Sequence, residues 1–236
     1  MGRSYSDDDV VRWDKSYRPA IDLHLEKLGT DLPQQKVDFH LSNLSGSYYM
    51  QGMTLIAQGA FDEAIRAFRD SAEARCRMYE RFEKGQGRSL EAGHFQSVLV
   101  AFVTKDQALI SRLVGHYRAD EGTPDSIFLG KALKPVATGD IDAAKKVLAQ
   151  RMPRIEPQFV GYADSMEAIA NRDQQRFVSA LDAASESWAK WASKKVKGLP
   201  DSVCFIQGVG LVRLAESVLG TPIFVTNQHM PQELLR

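Results

Sequence analysis

Apolar residues recur every three or four positions along most of this chain, and that helical spacing constrains its fold more than any other feature. The clearest stripe, over residues 61–82, predicts a helix of about six turns whose opposite face is charged. Similar stripes predict helices at residues 10–28 and 177–191, while only residues 221–226 look extended, too few to imply a sheet. Because each helix has an apolar face that another helix must cover, the spacing predicts an all-α protein.

Helix start and stop signals flank these stripes. Ser6 precedes three aspartates, which predicts an N-cap followed by carboxylates at the positive end of the helix dipole. Pro124 and Pro200 fit first helical positions, where the missing N–H group costs nothing. Gly29 and Gly198 fit positions just after a helix. These signals divide the chain into separate helices joined by short turns.

A weak internal repeat links four of the expected turns. The repeated segments begin at Ala57, Val103, Ala137 and Ala170, which lie 46, 34 and 33 residues apart. Periods near 34 are typical of stacked helical hairpins such as tetratricopeptides, although the full tetratricopeptide consensus is missing. We therefore predict one domain over residues 1–236, a compact array of antiparallel helical hairpins with about nine or ten helices, tetratricopeptide-like in places.

Composition excludes several classes of partner. The 30 Lys and Arg residues match 30 Asp and Glu residues, so the chain lacks the basic excess of a general nucleic-acid binder. Its longest uninterrupted apolar run, residues 98–103, is far shorter than the ~20 residues that span a membrane. Because the N-terminus also lacks the apolar segment of a secretory signal, we expect a cytoplasmic protein. Cys76 and Cys204 lie in apolar helical stretches and are predicted to be buried free thiols.

Motifs of catalysis and of cofactor or metal binding are absent from the sequence. The sequence contains no HExxH motif, and no histidine has a second histidine or a cysteine three or four positions away to complete a helical metal site. Gly208 and Gly210 lack the rest of a dinucleotide fingerprint and are expected to permit close helix packing. We therefore predict a protein that is not an enzyme, with no catalytic residue, metal ligand or cofactor. The histidines are His24, His40, His94, His116 and His229.

Three segments of the C-terminal half resemble the immunity protein 49 family of bacterial polymorphic-toxin systems. These segments are residues 173–191, residues 208–215 and residues 230–235, and the wider resemblance covers roughly residues 57–235. The resemblance implies a cytoplasmic, non-enzymatic protein that binds a cognate toxin delivered by a secretion system, such as type VI, or by contact-dependent competition. It implies that binding blocks the active site or the assembly of the toxin. Within the first segment it rests on Phe177, Ala180, Leu181, Trp188 and Trp191.

Two acidic clusters are candidate partner-binding sites. If the toxin is a nuclease, its basic cleft calls for a local acidic patch on the protein that neutralises it. The same residues also fit helix caps and a solvated loop, so both interpretations remain open. The candidates are Asp7, Asp8 and Asp9 in one cluster, and Asp120, Glu121 and Asp125 in the other.

The alternative function is that of a tetratricopeptide-like adaptor or chaperone that holds a peptide or protein in a helical groove. Such grooves usually repeat Asn, Lys or Arg at equivalent positions, and no such recurrence is present here. An all-helical enzyme, whose polar residues would meet only in the fold, is the third possibility.

Overall fold

The computed structural model describes residues 5–85, 95–119, 122–151 and 154–236. Every regular element within these ranges is helical and none is a β-strand, which confirms the all-α prediction. Eleven α-helices lie in them, close to the nine or ten expected, and a 3-10 turn occupies Pro200–Ser202. The helices are α1 (Asp7–Leu28), α2 (Gln34–Ala57), α3 (Phe61–Glu83), α4 (Phe95–Val103), α5 (Gln107–His116), α6 (Pro124–Thr138), α7 (Ile141–Leu148), α8 (Pro157–Ala170), α9 (Gln174–Lys195), α10 (Ile206–Leu219) and α11 (Gln232–Leu235).

The helix ends lie where the capping residues predict them. At the start of α1, the Ser6 hydroxyl accepts a hydrogen bond from the Asp9 backbone N–H, and the Asp9 carboxylate accepts one from the Ser6 N–H. Thr123 caps α6 in the same way, through the backbone N–H of Ser126. Gly29 follows the last residue of α1. Residues close to each helix end in the sequence therefore account for these boundaries.

The four repeat segments share one backbone turn. In each, the third residue adopts the left-handed conformation, at Gly59, Lys105, Gly139 and Arg172, with φ of 77°, 57°, 74° and 56°. The next residue starts a new helix, and in three of the four it is an aspartate whose carboxylate accepts a backbone N–H three residues later. What the four segments of the internal repeat share is therefore the conformation of the turn between two helices. Across these turns α2 packs against α3 and α6 against α7, as predicted for helical hairpins.

The helices form two compact units, each assembled from separate stretches of the chain. That residues 1–236 form a single domain stays a prediction. No helix among the described residues combines the length and the apolar character needed to cross a membrane. Unit 1 comprises Met1–Ser89, Asp106–His116 and Ala192–Cys204, and unit 2 comprises Leu90–Lys105, Tyr117–Trp191 and Phe205–Arg236.

Unit 1 is built on the three longest helices of the first half. Helix α2 packs against both α1 and α3, and α5 packs against α3. Within α1 the predicted stripe is buried from Val10 to Ile21, whereas Leu28 is half-buried. Leu25 is 46% exposed, while its neighbour His24 is only 9% exposed. His24 and Leu25 follow Ile21 by three and four residues, and both positions border the same face of the helix. The apolar spacing alone therefore does not show which of the two is buried. The largest fully buried side chains of this unit are Tyr79, Phe68, Leu41, Met53 and Leu113.

Apart from α9, the helices of unit 2 are shorter than the three long helices of unit 1, and several of them approach each other closely. Helix α10 packs against α4 and α8, and α6 packs against α7 and α8. A Cβ atom at Gly210 would overlap the carbonyl oxygen of Leu99, and one at Gly161 would lie 2.5 Å from the Cα of Ala184. The absence of a side chain at these glycines is therefore what permits the contacts, as predicted for Gly210.

Candidate functional site

The acidic first turn of α1 borders a surface depression of about 560 Å³ in unit 1. Asp9 is the candidate residue that lines it. One oxygen of its carboxylate accepts hydrogen bonds from the backbone N–H and the hydroxyl of Ser6, both at 2.9 Å, and the other accepts one from Arg12 Nη2 at 2.6 Å. The bonds from Ser6 are the main reason why the pKa of Asp9 lies below its ordinary value. Asp9 is thus engaged in capping α1, as the cap interpretation proposes.

The opposite wall of the depression is the turn after α9. The carbonyl oxygen of Gly198 accepts hydrogen bonds from Arg12 Nη2 and from the indole Nε1 of Trp13, both at 3.2 Å. The Tyr5 ring lies 5.5 Å from the Trp13 ring, centroid to centroid. These contacts hold the start of α1 against the turn. Asp7 and Asp8 are exposed in the first turn of α1.

The second acidic cluster is described only in part. Asp125 lies in unit 2 in the first turn of α6, where it is 7% exposed. Its carboxylate accepts a hydrogen bond of 2.9 Å from the backbone N–H of Glu156, the residue that precedes α8. Asp125 therefore ties two helix starts together inside unit 2. Asp120 and Glu121 lie outside the described residues.

A pair of histidines beside an exposed aromatic ring is a feature that the sequence did not reveal. The Nδ1 atoms of His24 on α1 and His40 on α2 lie 2.9 Å apart, so one ring donates a hydrogen bond and the other accepts it. The Phe39 ring meets both imidazoles edge to face and is 61% exposed. Burial, with a smaller contribution from His40, lowers the pKa of His24. No spacing rule joins residues on different helices, so only the packing of α1 on α2 brings these side chains together.

A polar network on α3 and α5 surrounds one of the cysteines. Arg112 contacts Glu73 through Nη1 at 3.0 Å and Glu80 through Nη2 at 2.8 Å. Its hydrogen bonds to Glu80 lower the pKa of that carboxyl group. The Cys76 thiol lies 3.6 Å from Glu80, and burial raises its pKa to about 12. A thiol with so high a pKa stays protonated at neutral pH and is a poor nucleophile.

Both cysteines are buried and free, as the sequence predicts. In the parts of the chain that the structure describes, His, Cys, Asp and Glu side chains form no group of three or more that could hold a metal ion. The polar network around Arg112 connects α5 to α3.

The three segments that carry the family resemblance lie together in unit 2. Trp188 of the first segment stacks on Phe205, with ring centroids 5.9 Å apart and planes inclined by 26°. A Cβ atom at Gly208 of the second segment would contact Phe205 and would lie 2.8 Å from the sulfur of Met230 in the third. Phe205 thus joins the segments into one packed cluster.

No protein-family model matches this chain, and no curated protein or solved structure matches it either. A functional proposal therefore depends on the residues of the chain and on the resemblance noted above.

Proposed function

We propose that this protein is a non-enzymatic immunity protein that binds and neutralises a cognate antibacterial toxin by direct contact, in the cytoplasm of the cell that produces it. The observation that carries the proposal is the clustering of the three family-like segments around Phe205 in unit 2. If the resemblance reflects a core shared with the family, the three segments are expected to pack together although they lie far apart in the sequence. If the resemblance arose by chance, there is no reason to expect them in one cluster.

The surface of the chain fits a protein partner better than a nucleic acid or a membrane. Its formal net charge is zero, so any attraction to a charged partner comes from local patches. Two phenylalanines are strongly exposed, Phe39 at 61% and Phe224 at 89%. Aromatic side chains, phenylalanine among them, are enriched at the cores of protein–protein interfaces relative to the rest of the surface.

The test is co-expression with the product of the adjacent gene, since an immunity gene is expected directly downstream of the gene for a large secreted effector. We expect the neighbouring product to stop growth alone, and this protein to restore growth and to co-purify with it. A toxic neighbour that this protein neither neutralises nor binds would overturn the proposal, and so would a neighbour that is not toxic.

The same assay tests the exposed acidic residues of α1. The double substitution Asp7→Asn with Asp8→Asn removes two first-turn carboxylates and should weaken toxin binding at least tenfold if a basic surface meets them. The matched control is Asp62→Asn with Glu63→Gln, which removes two exposed carboxylates from the first turn of α3. Equal affinities for the two double variants would exclude Asp7 and Asp8 from the interface.

The alternative adaptor function is favoured by one observation, the common left-handed turn of the four repeat segments. Stacked hairpins of this kind often present a groove for a peptide. An adaptor would bind a short linear segment of its client as tightly as the whole client. A toxin-neutralising protein would bind the folded toxin far more tightly than any fragment, so affinities for intact and fragmented partner separate the two functions.

A further inference from the structure

Residues 222–226, between α10 and α11, have the side-chain pattern of a β-strand without a partner strand. Exposure alternates strictly along them, with residues 222, 224 and 226 exposed and residues 223 and 225 buried. Such alternation is the signature of an extended chain lying on a core. Ile223 and Val225 are 4% and 9% exposed, whereas Phe224 is 89% exposed. The segment therefore packs on unit 2 through the buried side chains of Ile223 and Val225.

The backbone of this segment has unused hydrogen-bonding groups. The Ile223 N–H donates to the Glu216 carboxylate at 3.1 Å. Among the described residues, the N–H groups of Phe224, Val225 and Thr226 have no acceptor. An extended segment with free N–H and C=O groups is a template on which a second strand pairs.

A cavity of about 350 Å³ lies beside the segment. Arg213 lines it with a side chain that is only 9% exposed, bonded through Nη1 to Glu216 at 2.6 Å and through Nη2 to the Leu234 carbonyl at 2.9 Å. The Nε of Arg213 and the Nε2 of Gln232, which also lines the cavity, are buried without partners among the described residues. Because buried donors are nearly always paired in proteins, these two leave the wall of the cavity short of acceptors.

The charges around the cavity favour an anionic acceptor. Arg236 lines it beside Arg213, and the Lys105 ammonium donates to the Arg236 carbonyl at 3.2 Å. Burial and the nearby charge of Arg213 lower the pKa of Lys105, a direction that an added negative charge would reverse. Among the residues that the structure describes, Glu216 is the only acidic one that lines the cavity, and Arg213 already pairs with it. A carboxylate is an acceptor whose negative charge would offset this excess of positive side chains.

We propose that residues 222–226 are a docking strand on which an extended, acidic segment of a partner protein pairs, with a carboxylate of that segment in the adjacent cavity. The inference goes beyond the proposed function, since it holds whether or not the partner is a toxin. A second copy of this chain is disfavoured as the occupant, because residues 220–227 contain no acidic side chain to supply the carboxylate.

The experiment titrates the 15N-labelled full chain with a capped pentapeptide, Val-Glu-Val-Glu-Val, and with its Val-Gln-Val-Gln-Val counterpart. We expect the glutamate peptide to cause saturable shifts in the backbone amides of residues 224–226 and in the Nε–H resonance of Arg213. The glutamine peptide should bind at least tenfold more weakly. No saturable shift with the glutamate peptide at millimolar concentration, or equal affinity for both peptides, would overturn the proposal.

Two variants at one exposed position separate backbone pairing from side-chain docking. Phe224→Pro removes the N–H donor, and Phe224→Ala keeps it while removing the exposed ring. We expect the proline variant to lose at least tenfold in affinity for the glutamate peptide, and the alanine variant to change little. The reverse order would overturn the docking strand. Self-association of the unmodified chain that Phe224→Pro abolishes would identify a second copy as the occupant and overturn the choice of partner.

Discussion

The two units differ in how closely the backbones of their helices approach each other. In unit 1, long polar side chains reach from one helix to another, as Arg81 does to Asp38 and Arg112 does to Glu73 and Glu80. In unit 2, the backbones of two helices come into contact where a glycine removes the Cβ atom, as at Gly161 and Gly210. The glycine of unit 1 that faces a neighbouring helix, Gly52, meets only the side chain of Phe68. The first arrangement depends on charge and hydrogen bonding, and the second depends on volume. Substitutions that add one methyl group should therefore harm unit 2 most, and changes of charge should harm unit 1.

The largest effect is expected from Gly210→Ala in unit 2. The added methyl group overlaps the carbonyl oxygen of Leu99, a backbone atom that moves only if α4 moves. We expect a loss of about 3 kcal/mol in the free energy of unfolding, measured by urea denaturation. The control is Gly46→Ala in α2, where no described atom outside the adjoining backbone of that helix lies within 4 Å of the added Cβ. There the lower backbone entropy of alanine should stabilise the protein by about 0.5 to 1 kcal/mol. Similar losses for the two variants would contradict the volume argument.

An intermediate effect is expected from Arg81→Met in unit 1. The Nε of Arg81 contacts Asp38 at 2.9 Å, and the two side chains are 18% and 8% exposed. Removal of the arginine leaves the buried carboxylate without its cation, which should cost about 2 to 3 kcal/mol of the free energy of unfolding. In the control Arg66→Met, an exposed pair with Glu63 is lost and stability should change by less than about 0.5 kcal/mol. If the two variants are equally stable, charge pairing does not hold unit 1 together.

The smallest effect is a dependence of stability on pH that His24 causes. Because the pKa of His24 in the folded protein is lower than its ordinary 6.5, the unfolded chain takes up the proton first. Its contribution to stability is complete above pH 6.5 and falls as the pH drops from there toward the lower pKa of the folded protein. His24→Gln removes this titration. The difference in unfolding free energy between the original chain and the variant should therefore decrease from about pH 8 to about pH 5, and a constant difference would refute the prediction.

Much of the fold followed from local patterns in the sequence. The apolar stripe at residues 61–82 corresponds to α3, and the Ser6 cap and Gly29 stop mark the two ends of α1. Even the weak repeat was correct in position, because Lys105 and Arg172 adopt the same left-handed turn as Gly59. These features need only neighbouring residues, so a sequence displays them directly.

The candidate site was less accessible from the sequence, because each of its features depends on residues that are distant along the chain. Asp125 resembled an exposed acidic residue, but the packing of α6 turns it toward the Glu156 backbone. The docking strand was visible only as an extended segment, and the unpaired donors of Arg213 and Gln232 beside it required the full arrangement of α10 and α11.

Helical period and capping are short-range properties, so the order of residues alone establishes that the chain is helical, where many helices begin and end, and which faces are apolar. Which helices meet, which side chains lose contact with water and which donors lack an acceptor become visible only in the folded chain. These are properties of pairs of residues far apart in the chain, and hydrophobic burial sets them without regard to sequence order.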